Sequence, residues 1–218
     1  MVDYRDFRLS RLNDPRFRHI MLLMFWPLYG LYFYSIEWLL PRNEFHVMWC
    51  PLDDMIPFCE LFLIPYLFWF MYMVSAHVYT FFCDTGAFRR LMYFILLTFG
   101  VTCIIFVVFP TVQHLRPQTF PRDNLLTRAM AWFYTTDTNT NVCPSLHVCG
   151  SFAAAAALCD TERFSSRKWK IIHFFIAMVI SISTVFVKQH SVIDTVCGLV
   201  MSGVVYWIVY GRKKKTVR

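Results

Sequence analysis

Charge is scarce in this chain. Only 16% of its 218 residues are Asp, Glu, Lys or Arg, whereas 57% are hydrophobic and 19% aromatic, a balance that water-soluble domains rarely show. Other absences narrow the field. The eight cysteines never fall at a metal-site spacing, and there is no nucleic-acid-binding motif, internal repeat or linker. The first apolar run is too long for a secretory signal, and its end at Leu39-Leu40-Pro41 lacks a small-residue cleavage pattern. The chain reads as one membrane domain, 1–218.

What is present is a series of long apolar runs. About 20 apolar residues cross a bilayer as a helix, and six such runs are expected: roughly Ile20 to Leu40, Met55 to Phe82, Leu91 to Pro110, Pro144 to Cys159, Trp169 to Val187 and Val192 to Tyr210. Pro27, Gly30, Pro57 and Pro65 interrupt the first two runs, which membrane helices tolerate. The expected class is an all-α integral membrane protein with six transmembrane helices.

Basic residues orient the bundle. With six spans both termini share a side, and that side collects 16 of the 21 Lys and Arg residues. They lie in the N-terminal segment 1–19, at Arg89 and Arg90, at Arg163, Arg167, Lys168 and Lys170, and in the tail 211–218. The remaining five, Arg42, Arg116, Arg122, Arg128 and Lys188, fall on the other side. The termini should therefore be cytoplasmic. The net charge of +7 then faces anionic lipid rather than nucleic acid.

The non-cytoplasmic side holds the chemistry. Proline suits the first turn of a helix, so Cys143-Pro144-Ser145-Leu146-His147 predicts a helix from residue 144 whose free N–H groups form an anion site. Ser145 adds a donor there and His147 a proton-transfer group. About forty residues on, Lys188-Gln189-His190-Ser191-Val192-Ile193-Asp194 sets Asp194 four residues from His190. One ring nitrogen can then be oriented by the carboxylate while the other acts as nucleophile. Arg116, followed by Pro117, contributes a further cation from the loop Thr111 to Val142. A plain Pro-Ser helix start with an interfacial histidine is the alternative reading of the first motif.

Smaller signals surround these. Asp123 to Tyr134 has Leu125, Leu126, Ala129, Met130 and Phe133 at helical spacing, which predicts an interfacial helix in the long outer loop between spans 3 and 4. Glu37 and Glu60 suit interfacial or substrate-gate roles, and His77 and His114 structural or solvated ones. Trp49 fits an interfacial aromatic belt. Cys50 and Cys143 would share the oxidising side and could pair, although connectivity does not follow from sequence. Gly150, Ser151 and the alanines 153–157 should let the fourth span approach the sixth at Gly198, Ser202 and Gly203.

In order and residue type, these motifs resemble the type 2 phosphatidic acid phosphatase superfamily. Its pattern is a Lys, six residues, then Arg-Pro; next Pro-Ser-Gly-His; then Ser-Arg, five residues, His, three residues and Asp. Arg116-Pro117 matches the first part, Pro144-Ser145 and His147 the second, and Ser183, His190 and Asp194 the third. Phe109, Leu146 and Thr184 depart from it, and two of these departures remove a cation. Lys188, one turn beyond Thr184, is placed to replace part of that charge. Cys-Pro-Ser-Leu-His with Lys-Gln-His is also similar to the branch related to inositol phosphorylceramide synthases.

The resemblance implies a metal-independent lipid phosphate phosphatase without cofactor. His190 would attack phosphorus to form a phosphohistidine, Asp194 would orient it, and His147 would serve as acid and then base. Arg116, Lys188 and Ser145 would hold the phosphate. The implied partners are a lipid phosphate or diphosphate and membrane lipids, with the cell membrane as location. Transfer of a headgroup phosphate to an alcohol is the first alternative, and a six-span transporter the second, against which the clustering of polar residues at one end argues.

Overall fold

The computed structural model describes residues 2–39 and 44–211; Arg42 and the basic residues of the tail lie outside them. Its order is α1 (Phe25–Tyr34), β1 (His46–Val47), α2 (Pro51–Met55), α3 (Leu63–Cys83), α4 (Thr85–Val108), β2 (Thr111–Val112), α5 (Leu125–Thr136), α6 (Leu146–Cys159), α7 (Arg167–Phe186) and α8 (Val192–Tyr210). Short 3-10 turns precede α1 and α3, and a π-helical turn at Ser35–Leu39 follows α1.

Among the described residues, five stretches are long and apolar enough to cross a membrane: Arg18–Glu37, Glu60–Cys83, Thr85–Val108, Arg167–Phe186 and Val192–Tyr210. The second begins at Glu60 rather than Met55, because Pro51–Met55 forms the separate helix α2. The third begins earlier than its apolar run, at Thr85, where the Asp84 carboxylate accepts from the Ala87 N–H at 2.9 Å and caps the helix.

The expected fourth span is the short one. Its helix starts at Leu146, not Pro144, and has 14 residues, about 21 Å at 1.5 Å per residue. Ser145 is the N-cap, and Pro144 stands before it after a cis peptide bond with Cys143. A short helix is tolerable here because α6 is the centre of the bundle, packed against α3, α4, α7 and α8. The irregular residues 141–145 that lead into it are all buried in protein, where non-helical backbone can be satisfied internally.

Small residues make that centre. Ala153, Ala154 and Ala157 are fully buried in a core shared with Tyr72, Met73, Leu91, Phe94 and Phe99. A methyl group on Gly198 of α8 would stand 2.9 Å from Val148 Cβ and 3.0 Å from the Ser145 carbonyl oxygen, so α6 and α8 meet as the small-residue pattern predicts. The outward surface is apolar instead: Trp207 is 74% exposed, Phe175 66% and Val200 62%. Such a surface suits lipid, not water.

The loops gather at one end of the bundle. β1 pairs with β2 in parallel, His46 with Thr111 and Val47 with Val112. The Asn141 N–H donates to the Thr111 carbonyl at 2.6 Å, and Gln113 Nε2 donates to the Lys188 carbonyl at 3.0 Å. α5, capped by Asn124, covers this end through Met130, which packs on Leu63, Tyr66 and Val187. The N-terminal segment lies at the opposite end, where the Tyr4 hydroxyl donates to the Phe81 carbonyl at 2.8 Å. All eight cysteines are free, Cys50 and Cys143 included.

Candidate active site

The path from α7 to α8 places the first histidine. α7 ends in a left-handed residue, Lys188, with φ 54°. The Lys188 N–H donates to the Val185 carbonyl and the Gln189 N–H to that of Thr184, the two closing bonds of a Schellman turn. Glycine usually fills that left-handed position, and a residue with a Cβ is strained there. Anchors on both sides hold Lys188 in place: Nζ donates to the carbonyls of Asp53 at 2.6 Å and Ile56 at 2.5 Å, while its own carbonyl accepts from Gln113. Burial pushes the Lys188 ammonium below its usual range, opposed by the charges of Asp53 and Asp54.

α8 then starts with a capping box. Ser191 Oγ accepts from the Ile193 N–H at 3.2 Å, and Asp194 Oδ2 accepts from the Ser191 N–H at 2.9 Å. The same Asp194 oxygen stands 3.4 Å from His190 Nδ1, which is buried and makes no hydrogen bond. Asp194 is fully buried and His190 9% exposed. The Asp53 carboxylate buttresses the turn from α2, accepting from Ser191 Oγ at 2.6 Å, the Val192 N–H at 2.8 Å and the Cys50 N–H at 2.8 Å.

The second histidine comes from α6. The Ser145 N–H donates to the Asp194 carbonyl at 3.1 Å, which pins the start of α6 to the first turn of α8. Two residues on, His147 stacks against Tyr66 and lies tilted against Trp69 of α3, each at a centroid distance of 4.4 Å, and its ring centroid is 5.9 Å from that of His190. His147 Nε2 and Ser145 Oγ are buried without a hydrogen-bond partner. The N–H groups of the first turn of α6 are also free of helical bonds, as in any helix. This end of α6 can therefore receive an anion.

His147, His190, Asp194 and Ser145 thus come together, whereas the two expected phosphate cations face elsewhere. Arg116 donates to the carbonyls of Tyr134 at 3.0 Å, Asp137 at 2.9 Å and Thr138 at 2.7 Å, and its guanidinium lies over the Tyr134 ring at 4.6 Å. It closes the C-terminal end of α5. Burial lowers its affinity for a proton, partly offset by Asp137. Lys188, as described, holds the end of α2. Neither side chain lines the cavity beside the histidines. Nearby carbonyls take the terminal guanidinium nitrogens of Arg116 and the Lys188 ammonium, leaving Arg116 Nε buried without a partner, a competition that motif spacing does not reveal.

That cavity has a volume of about 630 Å³, within the range of small-molecule sites. Its polar end carries His147, His190, Asp137, Gln189, Thr138, Thr140 and Asn141; its apolar arm runs between α1, α3 and α4 past Trp26, Tyr29, Trp69, Met73 and Phe99 to Val78 and His77. His77 Nδ1 lies 2.7 Å from the Met73 carbonyl and the Trp26 indole N–H 3.3 Å from its Nε2, so the histidine is structural. Glu37 accepts from Thr138 Oγ1 at 2.9 Å, Thr140 Oγ1 at 2.7 Å and Asn141 Nδ2, and so braces the loop at the polar end. Glu60 accepts from Asn124 Nδ2 at 3.1 Å and pairs with Arg122.

Asp53, Asp137 and Gln189 were missed by sequence reasoning. Asp53 sits 138 residues from the hydroxyl it holds, beyond any local pattern. The Ser191-x-x-Asp194 capping box was legible as a spacing.

The family model described as the PAP2 superfamily matches residues 90–218, more than half of the chain and the part that carries both histidines. Comparison with curated proteins and with solved structures returned no match.

Proposed function

The chain belongs to the PAP2 superfamily, a group of phosphatases and related phosphotransferases, and on that premise we propose that it removes or transfers the phosphoryl group of a membrane lipid through a phosphohistidine on His190. One observation carries the reading. Two histidines, one on α6 and one in the connection from α7 to α8, open into one cavity, 5.9 Å apart by centroid, and the second has a buried carboxylate 3.4 Å behind it.

The chemistry follows from those positions. Asp194 holds the Nδ1 proton of His190, so Nε2 carries the lone pair. It attacks phosphorus; the bond from phosphorus to the lipid oxygen breaks, and His147 gives its proton to the departing alkoxide. Water then attacks the phosphohistidine, the P–N bond breaks, and His147 takes the proton, leaving inorganic phosphate. An alcohol in place of water gives transfer instead, by the same steps.

Phosphate is bound, on this reading, at the start of α6 by Ser145 Oγ and the free N–H groups of its first turn. Arg116 and Lys188 shape the flanking loops and add positive field. The apolar arm takes the lipid tail. The basic side, with the termini, is cytoplasmic and the histidines face away from it; α5 lies over the entrance as an interfacial helix. No step requires a metal.

Hydrolysis is the first reading. The test is phosphate release by the purified protein from a panel of lipid phosphates and diphosphates with chelator present. Chelator-resistant release that disappears in His190→Ala supports it. Release that survives His190→Ala overturns it, and transfer to an added alcohol without phosphate release moves the reading to the phosphotransferase.

A further inference from the structure

A second cavity, of about 520 Å³, lies toward the other end of the bundle, between α6, α7 and α8, and shares no lining residue with the histidine cavity. Small side chains leave the space. Ala155 and Ala156 of α6 line it together with Ser202 and Gly203 of α8, and a methyl group on Gly203 would meet nothing within 4 Å. Aromatic rings form its walls: Phe152 meets Phe174 edge-on at 6.0 Å between centroids, and Tyr206 stacks on Tyr210 at 5.0 Å. The Ser202 hydroxyl donates to the Gly198 carbonyl at 2.7 Å, so its proton is engaged within α8.

One end of this slot is charged. Lys170, near the start of α7, lines it beside Asp160. Asp160 pairs with Arg90 of α4, whereas Lys170 makes no ion pair among the described residues. Arg163, Arg167 and Lys168 are exposed nearby in the chain. An uncompensated ammonium at the head of an apolar slot is complementary to an anion with a hydrocarbon tail.

The dimensions identify the tail. Leu199 to Tyr210, the lining residues farthest apart on α8, span about 16 Å at 1.5 Å per residue, roughly half of a ~30 Å hydrocarbon core. The slot therefore belongs to one leaflet. Its volume over that length gives a mean cross-section of about 30 Å². A helix with its side chains, about 10–12 Å across, needs about 80 Å² or more; a single hydrocarbon chain needs about 20 Å² at carbon contacts of about 4–4.5 Å. Phe174 and Tyr206 are 57% and 52% exposed on the lipid-suited surface, so a chain can enter sideways from the bilayer.

We propose that this slot binds one acyl chain of an anionic phospholipid from the leaflet on the basic side of the protein, with the lipid phosphate on Lys170. The site is separate from the histidine cavity and does not rest on the phosphoryl-transfer reading. The lipid fills the gap between α7 and α8 against α6, and because only the folded chain offers the slot, its binding stabilises the fold.

The full chain, purified in detergent, is titrated with dioleoyl phosphatidylglycerol or dioleoyl phosphatidylcholine. Native mass spectrometry counts the bound lipids, and the unfolding temperature is followed in parallel. Phosphatidylglycerol binds at least about fivefold more tightly, the ratio one lysine supplies near anionic headgroups, and raises the unfolding temperature more. Lys170→Gln brings the two lipids within about twofold of each other, while Lys168→Gln, outside the slot, keeps the preference. Gly203→Phe fills the slot and removes one bound lipid; if it is not recovered folded, Gly203→Leu takes its place.

Equal affinity of the unaltered chain for the two lipids, an equal loss in Lys168→Gln and Lys170→Gln, or an unchanged lipid count in Gly203→Phe overturns the proposal. So does a dimer that Gly203→Phe dissociates, since a second copy of the chain would then occupy the slot.

Discussion

Asp53 Oδ2 accepts a hydrogen bond from Ser191 Oγ at 2.6 Å, across 138 residues of chain. The carboxylate is 1% exposed and also receives the N–H groups of Cys50 and Val192. It fixes the short connection that carries His190 from α7 into α8, although it touches neither histidine.

Asp53→Asn should therefore destabilise the fold. The amide cannot accept at all three positions, and each unmet buried donor costs about 1–3 kcal/mol. Thermal unfolding in detergent should occur at lower temperature, with turnover reduced even in the folded fraction. A variant with normal stability and normal rate would show that the connection holds its shape without Asp53.

The three positions that the proposed mechanism makes catalytic should separate by rate. On the proposed mechanism, replacing His190 with Ala removes the nucleophile and should lower kcat by at least about 10⁴-fold. His147→Ala removes the proton donor and base, about 10²–10⁴-fold, and should lose less on lipids with an acidic leaving group. Asp194→Asn should fall below wild type by up to about 10⁴-fold, with some loss of stability because it weakens the capping box. Steady-state kinetics on one lipid, with circular dichroism as a control for folding, ranks them.

Lys188→Met distinguishes a structural lysine from a phosphate ligand. Two carbonyls lose their donor, so the protein should unfold more readily, by about 1–3 kcal/mol. KM for the lipid should change less than the unfolding temperature suggests. A large rise in KM at unchanged stability would return the ammonium to the phosphate.

Gly198→Ala places a methyl against backbone. Its Cβ would meet the Ser145 carbonyl oxygen at 3.0 Å and Val148 Cβ at 2.9 Å, and overpacking of this kind costs about 1–3 kcal/mol. Because Ser145 is also tied to Asp194, activity should fall with stability. Gly100→Ala, where nothing lies within 4 Å, is the control and should match wild type or exceed it slightly in stability.

The pH dependence of stability should contain a contribution from Asp137. Burial raises its proton affinity in the folded protein above the unfolded value of about 3.9. The folded state therefore holds the proton more tightly, and that contribution is full below the unfolded pKa and lost as pH rises through the folded one. Asp137→Asn cannot ionise. Its unfolding temperature should gain on wild type as pH increases from about 4 to neutrality, and a constant difference over that range would contradict the assignment.

Much of this protein is local and was therefore readable. Apolar length predicted long membrane-type helices, since each satisfies its own backbone bonds. The four-residue spacing of His190 and Asp194 marked them as neighbours, 3.4 Å apart, although His190 lies in the connection before α8 and not on a shared helix face, and the small residues of α6 and α8 announced their close approach. Residue type alone marked the histidines as candidate chemical groups, and the fold brings the two to one cavity.

Tertiary structure decided the rest, because it turns on competition between distant partners. Arg116 and Lys188 are cations by sequence, yet main-chain carbonyls left unpaired at the ends of α5 and α2 take their donors. The start of α6 moved from Pro144 to Leu146 as the preceding residues were buried among other helices. Asp137 and Gln189 became neighbours of the histidines only when the loop of residues 137–141 closed over them, held by Glu37. A sequence states which groups can bond; the packed chain settles which of them do, since each buried donor must find an acceptor within about 3 Å.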